Sequence, residues 1–194
     1  MRIPHGLVLP AVVLALAAAV TGCSSGQEKA ARGSLAIRLA ASRHPAAYRP
    51  GEGPADDPVS RLQAASVSIS GIEARRRDGT WVPVECDFPT AVDLLALANV
   101  GDTVTLPAVL VPEGPWAALQ VRFNQVELTL ANGARMTIPP RGAGWVVVVP
   151  VDFGVVTDRA TTVGLNIRLD RSFRLAAGAF DFDPDVEIDG VERR

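Results

Sequence analysis

Apolar and polar residues alternate at a period of two, in short runs separated by turn dipeptides, and this pattern most limits how the chain folds. Leu35, Ile37 and Leu39 alternate with Ala36 and Arg38, and Val67 and Ile69 with serines. Val104 and Leu106 alternate with threonines, and Val163, Leu165, Ile167 and Leu169 with Gly164, Asn166, Arg168 and Asp170. Successive strand side chains point to opposite faces, so each run is a strand with one face on a core and one toward solvent. Trp145–Val149 is apolar without alternation and is expected to be a strand covered on both sides. Asp78-Gly79 and Asn132-Gly133 are strong hairpin signals; Pro112-Glu113-Gly114 and Pro140-Arg141-Gly142 are looser turns. The expected fold is all-β, an antiparallel β-sandwich.

Two runs change parity midway. Val67 and Ile69 give way to Ile72 and Ala74 across Ser70-Gly71, and Leu119, Val121 and Phe123 give way to Val126, Leu128 and Leu130 across Asn124-Gln125. One extra residue moves every later side chain to the other face, so a β-bulge is expected at each place. Val92–Ala98 is the one helical candidate, a turn or two between strands. Residues 41–60, rich in Pro, Gly and Ala, read as a long mobile loop.

The first 22 residues have the layout of an export signal: Arg2, then an apolar stretch from Leu7 to Val20 broken by Pro10. That stretch is shorter than the ~20 apolar residues that span a bilayer comfortably. Val20-Thr21-Gly22-Cys23 resembles a bacterial lipobox. The resemblance implies cleavage before Cys23, acylation of that residue and an extracytoplasmic, membrane-anchored product. Ser24 after the cysteine points to the outer membrane in a Gram-negative envelope. The expected organisation is a signal peptide over 1–22, an acylated Cys23 with a flexible tether to residue 33, and a β-sandwich domain over 34–190. Residues 24–33 are small and polar, without apolar periodicity, as a tether requires.

Charge and rare residues narrow the function. Nineteen basic and 21 acidic residues leave a formal charge of −2. No strong basic field is available for nucleic acid. The two cysteines exclude a disulfide-rich scaffold. With Cys23 acylated, Cys86 has no partner; in the Trp81–Cys86 segment it shares the apolar, inward parity of Val82 and Val84. The two histidines are His5, in the signal, and His44, in the Pro-rich loop. A Ser-His-Asp or Cys-His site needs a well-oriented histidine, and a zinc or copper site needs a cluster of His and Cys. No cofactor is expected, with one open question. Asp181, Asp183 and Asp185 fall on one face of an extended segment opposite Phe180 and Phe182, and alternate carboxylates are possible calcium ligands. A polar strand face that discourages edge pairing is the plainer reading. Trp81 and Trp116, with Trp145, are candidates for a ligand-stacking platform, against the commoner use of such rings as core filling. Arg75-Arg76-Arg77 reads as a solvated hairpin end able to touch anionic headgroups.

The mature chain also resembles the family of the domain of unknown function 4382. The residues that carry this are Gly33–Leu39, Val67–Glu73 leading to Asp78–Trp81, and Val92–Leu95. Val111–Trp116 into Val121–Phe123, Leu169–Ser172 and Phe180–Pro184 complete the set. The resemblance implies an immunoglobulin-like or transthyretin-like sandwich and carries no activity. One departure is the segment Ala41–Pro45, which lacks the Asp-x-Pro common in the family after the first strand. The expected function is therefore a lipid-anchored envelope module with a non-catalytic binding or structural role, its partner an unknown envelope protein or glycan. A carbohydrate- or peptide-recognition module is the alternative, and a carboxylate-based hydrolase the third reading.

Overall fold

The computed structural model describes residues 31–43, 57–89, 91–140, 142 and 144–194. Cys23, both histidines and residues 44–56 of the expected loop lie outside them. Among the described residues the strands are β1 (Arg32–Ser42), β2 (Leu62–Arg76), β3 (Trp81–Pro83) and β4 (Val92–Asp93). A helix, α1 (Leu94–Val100), leads to β5 (Thr103–Thr105), β6 (Val109–Pro112) and β7 (Gly114–Leu130). Next come β8 (Arg135–Ile138), β9 (Trp145–Val155) and β10 (Ala160–Arg168). A helical turn, α2 (Leu169–Ser172), precedes β11 (Phe173–Ala176), β12 (Ala179–Phe182) and β13 (Val186–Arg193).

The strands form two main sheets and a hairpin. One sheet runs β13-β10-β1, with β5 and β6 sharing the far edge of β1; the other is centred on the β2-β7 pair, with β3 and β4 along β2 and β8 and β9 along β7. The inner faces of both sheets contribute to one hydrophobic core, as a two-layer domain requires. The fold is the expected all-β sandwich, with one refinement. The β1-β10 pair is parallel, Ser34 opposite Ala160 through Ser42 opposite Arg168, while every other pairing is antiparallel. No hairpin turn joins these distant strands, and alternation carries no information about strand direction.

Both expected bulges exist, and they face each other. Ser68 pairs with Gln125, Ile69 with Phe123 and Gly71 with Arg122, so Asn124 is extra in β7 and Ser70 is extra in β2. Each insertion flips its own strand, and together they restore the common register. Ala65, Val67 and Ile69 are buried before the bulge in β2 and Ile72 and Ala74 after it; β7 buries Leu119, Val121 and Phe123, then Val126 and Leu128.

Both tight turns are also as expected. Asp78 accepts the Thr80 amide through Oδ1 at 2.9 Å, and Asn132 accepts the Ala134 amide at 3.0 Å. Gly79 and Gly133 sit at φ +94° and +82°, where a Cβ would be strained. The helix lies two residues beyond its expected start. Val92 is held in the sheet opposite Val67, and Asp93 caps the helix by accepting the Leu95 and Ala96 amides.

Three expectations are corrected. Trp145–Val149 is covered on one side only: Trp145 and Val149 are buried, whereas Val146 and Val148 are each 47% exposed. Their β7 neighbours on the outer face are the polar Arg122 and Gln120, and no second layer among the described residues covers them. The tether is also shorter than its composition suggests, because Arg32 and Gly33 already pair with Pro112 and Val111. Similarly, Ala41 and Ser42 belong to β1, and Pro58–Arg61 form a 3-10 turn capped by Asp57, at the two ends of the expected loop.

Candidate functional site

At one end of the sandwich, α2 and the β12–β13 turn bound an open, polar cleft of about 520 Å³ lined by Asp170, Arg171, Arg174, Asp183 and Asp185. Its frame starts from buried groups. Leu169 is fully buried and fixes α2 to the core. The fully buried Ser172 donates its hydroxyl to the Arg168 carbonyl at 2.7 Å and accepts the Asp185 amide at 3.0 Å. Its own carbonyl accepts the Asp183 amide at 2.8 Å, and the Arg168 amide donates to the Asp185 carbonyl at 2.9 Å. One small buried hydroxyl thus ties two chain segments together, acting both as donor and as acceptor.

Charged side chains complete the wall. The Arg168 guanidinium reaches both Asp185 oxygens, at 2.7 and 2.8 Å from Nη2, and lies 3.2 Å from Glu187 through Nη1. The hydrogen bond to Asp185, then the charges of Asp185, Glu187 and Asp170, raise the Arg168 pKa above its ordinary value; partial burial opposes them. Arg174 pairs with Asp183 at 3.1 Å, and Arg171 lies 4.0 Å from Asp185. Asp170 Oδ1 is buried and has no hydrogen-bond partner among the described residues. The cleft is a mixed-charge surface, suited to meeting polar or charged groups.

The three aspartates expected to face one way do not converge as a ligand set. β12 ends at Phe182, so Asp183 and Asp185 leave the strand, and each is taken by an arginine. Among the described residues no group of three or more His, Cys, Asp or Glu comes together to hold a metal ion. Thermal melts in calcium and in chelator are expected to coincide. A calcium-dependent rise in Tm that Asp183→Asn removes would restore the calcium reading.

The tryptophan platform is corrected as well. Trp116 is fully buried, stacked on Phe153 at 6.1 Å between ring centroids, with the Arg76 guanidinium 5.8 Å from its ring. A ligand cannot reach it without opening the core. Trp145 is buried edge-on to Phe182. Trp81 is half-buried, with the Arg75 guanidinium 5.4 Å from its ring centre, so the two face-stacking candidates do not form a common surface. Cys86 is half-buried against the core, where desolvation and then the Asp87 charge push its thiol pKa up; that is the setting of an unreactive thiol.

The sequence did not single out Arg168, Asp170, Arg171 or Arg174 as site residues. Asp170 and Arg171 fall in the motif segment Leu169–Ser172, which the fold brings beside Phe180–Pro184, and Arg168 and Arg174 flank it. No helix among the described residues is long and apolar enough to cross a membrane.

These features define an all-β, sandwich-like domain with a polar cleft at one end. The chain belongs to the family of the domain of unknown function (DUF4382), whose model matches residues 55–184, well over half of its length. The match includes α2, Asp183 and both compensating bulges, while Asp185 and β13 follow it and β1, at the centre of its sheet, precedes it. No curated protein and no solved structure matches the chain.

Proposed function

We propose that this protein is a lipid-anchored, extracytoplasmic module of the cell envelope with a non-catalytic binding or structural role. The observation that carries the reading is the Val20-Thr21-Gly22-Cys23 sequence after a charged and then apolar leader, nine residues ahead of the first strand at Arg32. Several acyl chains on Cys23 give stable anchoring, because each buried methylene contributes about 0.8 kcal/mol. The non-catalytic part is supported by the engagement of the cleft carboxylates. Asp183 and Asp185 are each paired with an arginine, at 3.1 and 2.7 Å. Metabolic labelling with a palmitate analogue is expected to mark the wild-type protein and to be lost in Cys23→Ala. Equal labelling of the two would overturn the anchor. Crosslinking in intact envelopes, compared between wild type and Arg171→Glu with Arg174→Glu, is expected to lose its adducts if the cleft is the binding surface.

A further inference from the structure

Resting on the anchor reading above, we infer that the end of the sandwich where β1 begins is a docking face for an anionic lipid bilayer. The first support is the position of the tether. Cys23 and Ala31 are eight residues apart in the sequence. That length spans at most ~26–29 Å when fully extended. The end of the domain that receives the tether is therefore the end kept within that reach of the lipid-bearing residue, and the polar cleft lies at the opposite end of β10.

The second support is what this end exposes. Leu110, opposite Ser34, is 65% exposed, and Val156, whose carbonyl lies against Gly33, is 51% exposed. They flank the start of β1 on two sides. Around them, Arg32, Arg159 and Arg193 are exposed and have no ion-pair partner among the described residues. Arg77, in the neighbouring hairpin, is 62% exposed and shares Asp152 at 3.1 Å. Asp78, Glu113 and Asp158 are exposed at the same end, and the exposed Glu85 lines one cavity with Arg32 and Leu110; these carboxylates offset the arginines in net charge without pairing those three, so contact with lipid phosphates rests on the individual free guanidinium groups. Exposed aliphatics ringed by arginine suit the headgroup–acyl boundary: the apolar tips insert and the guanidinium groups meet lipid phosphates.

The test uses the acylated protein, extracted from membranes and reconstituted into vesicles with a nitroxide quencher on the lipid headgroups. A fluorophore is placed at Thr80→Cys, in the hairpin at the docking end, or at Ala131→Cys, in the hairpin at the far end, each with Cys86→Ser. In phosphatidylcholine with phosphatidylglycerol, quenching is expected at position 80 and absent at 131; in phosphatidylcholine alone it weakens. Leu110→Asp with Arg159→Glu is expected to abolish the difference between the positions while leaving the thermal melt and the palmitate label unchanged. Equal quenching at both positions, or quenching indifferent to these substitutions, would overturn the docking face and leave the anchor standing. Absence of the palmitate label, with protein that never stays on the vesicles, would instead overturn the anchor.

Discussion

Phe182→Ala is expected to lower the unfolding free energy by about 3–5 kcal/mol, the cost of deleting a large aromatic side chain from a packed core. In a domain of this size that corresponds to a fall in Tm on the order of 10 °C. Phe182 is 1% exposed and meets three other rings: Phe173 at 5.0 Å, Trp145 at 5.3 Å and Phe123 at 6.0 Å between centroids. The contacts to Trp145 and Phe123 are near-perpendicular, an arrangement that aromatic quadrupoles favour. The β11–β12 hairpin pairs with neither main sheet, so Phe173 and Phe182 are its chief apolar tie to the core. Loss of Phe182 is therefore expected to loosen the hairpin before the sheets. Amide hydrogen exchange should rise first in residues 173–183, and the Asp183–Arg174 side of the cleft should lose its order with it. Phe180, on the same strand but only half-buried, serves as the control, with a loss near 1 kcal/mol as partial burial implies. Equal losses for the two substitutions would show that the hairpin is not fixed through Phe182.

The parts of the fold that local patterning controls were legible in the sequence. Alternation located the strands, and parity reversals at Ser70 and Asn124 located both bulges, because a flipped face leaves a visible mark in a half-buried strand. Asp-Gly and Asn-Gly located two turns for the same local reason. What depends on distant neighbours was not legible. The parallel β1-β10 pair joins segments more than a hundred residues apart. Val146 and Val148 look like core residues until the sheet is seen to have no cover over Gln120 and Arg122. Trp116 was open to two readings because a ring that fills a core and a ring that binds a ligand look alike in a sequence; Phe153 decides between them. The aspartates were read as a possible ligand set because their partners, Arg168 and Arg174, come from another segment. The cleft became visible only when the fold joined those segments through Ser172.

Gly33→Ala and Gly71→Ala are expected to change stability in opposite directions, although both residues are strand glycines. A methyl group at Gly33 would meet the Val156 carbonyl oxygen and lie 2.6 Å from Val155 Cγ1. A flexible side-chain tip could yield, but a backbone carbonyl at the end of β9 cannot move without shifting the chain that carries it into β10. The strain of such overpacking is about 3 kcal/mol, read as a lower denaturation midpoint with an unchanged slope. At Gly71 an added Cβ meets nothing within 4 Å, and its backbone is not in the left-handed region. Alanine there restricts the unfolded chain without straining the folded one, a gain of about 0.4–1 kcal/mol. The contrast tests why each glycine is present. Gly33 lets the β9–β10 connection pass across the first strand, so the start of β1 is closed by close backbone approach. Gly71 stands beside the Ser70 bulge, on the open outer face of its sheet, and its missing side chain is not required by packing. Should Gly33→Ala prove neutral, the two sheets do not approach as closely at β1 as their geometry indicates.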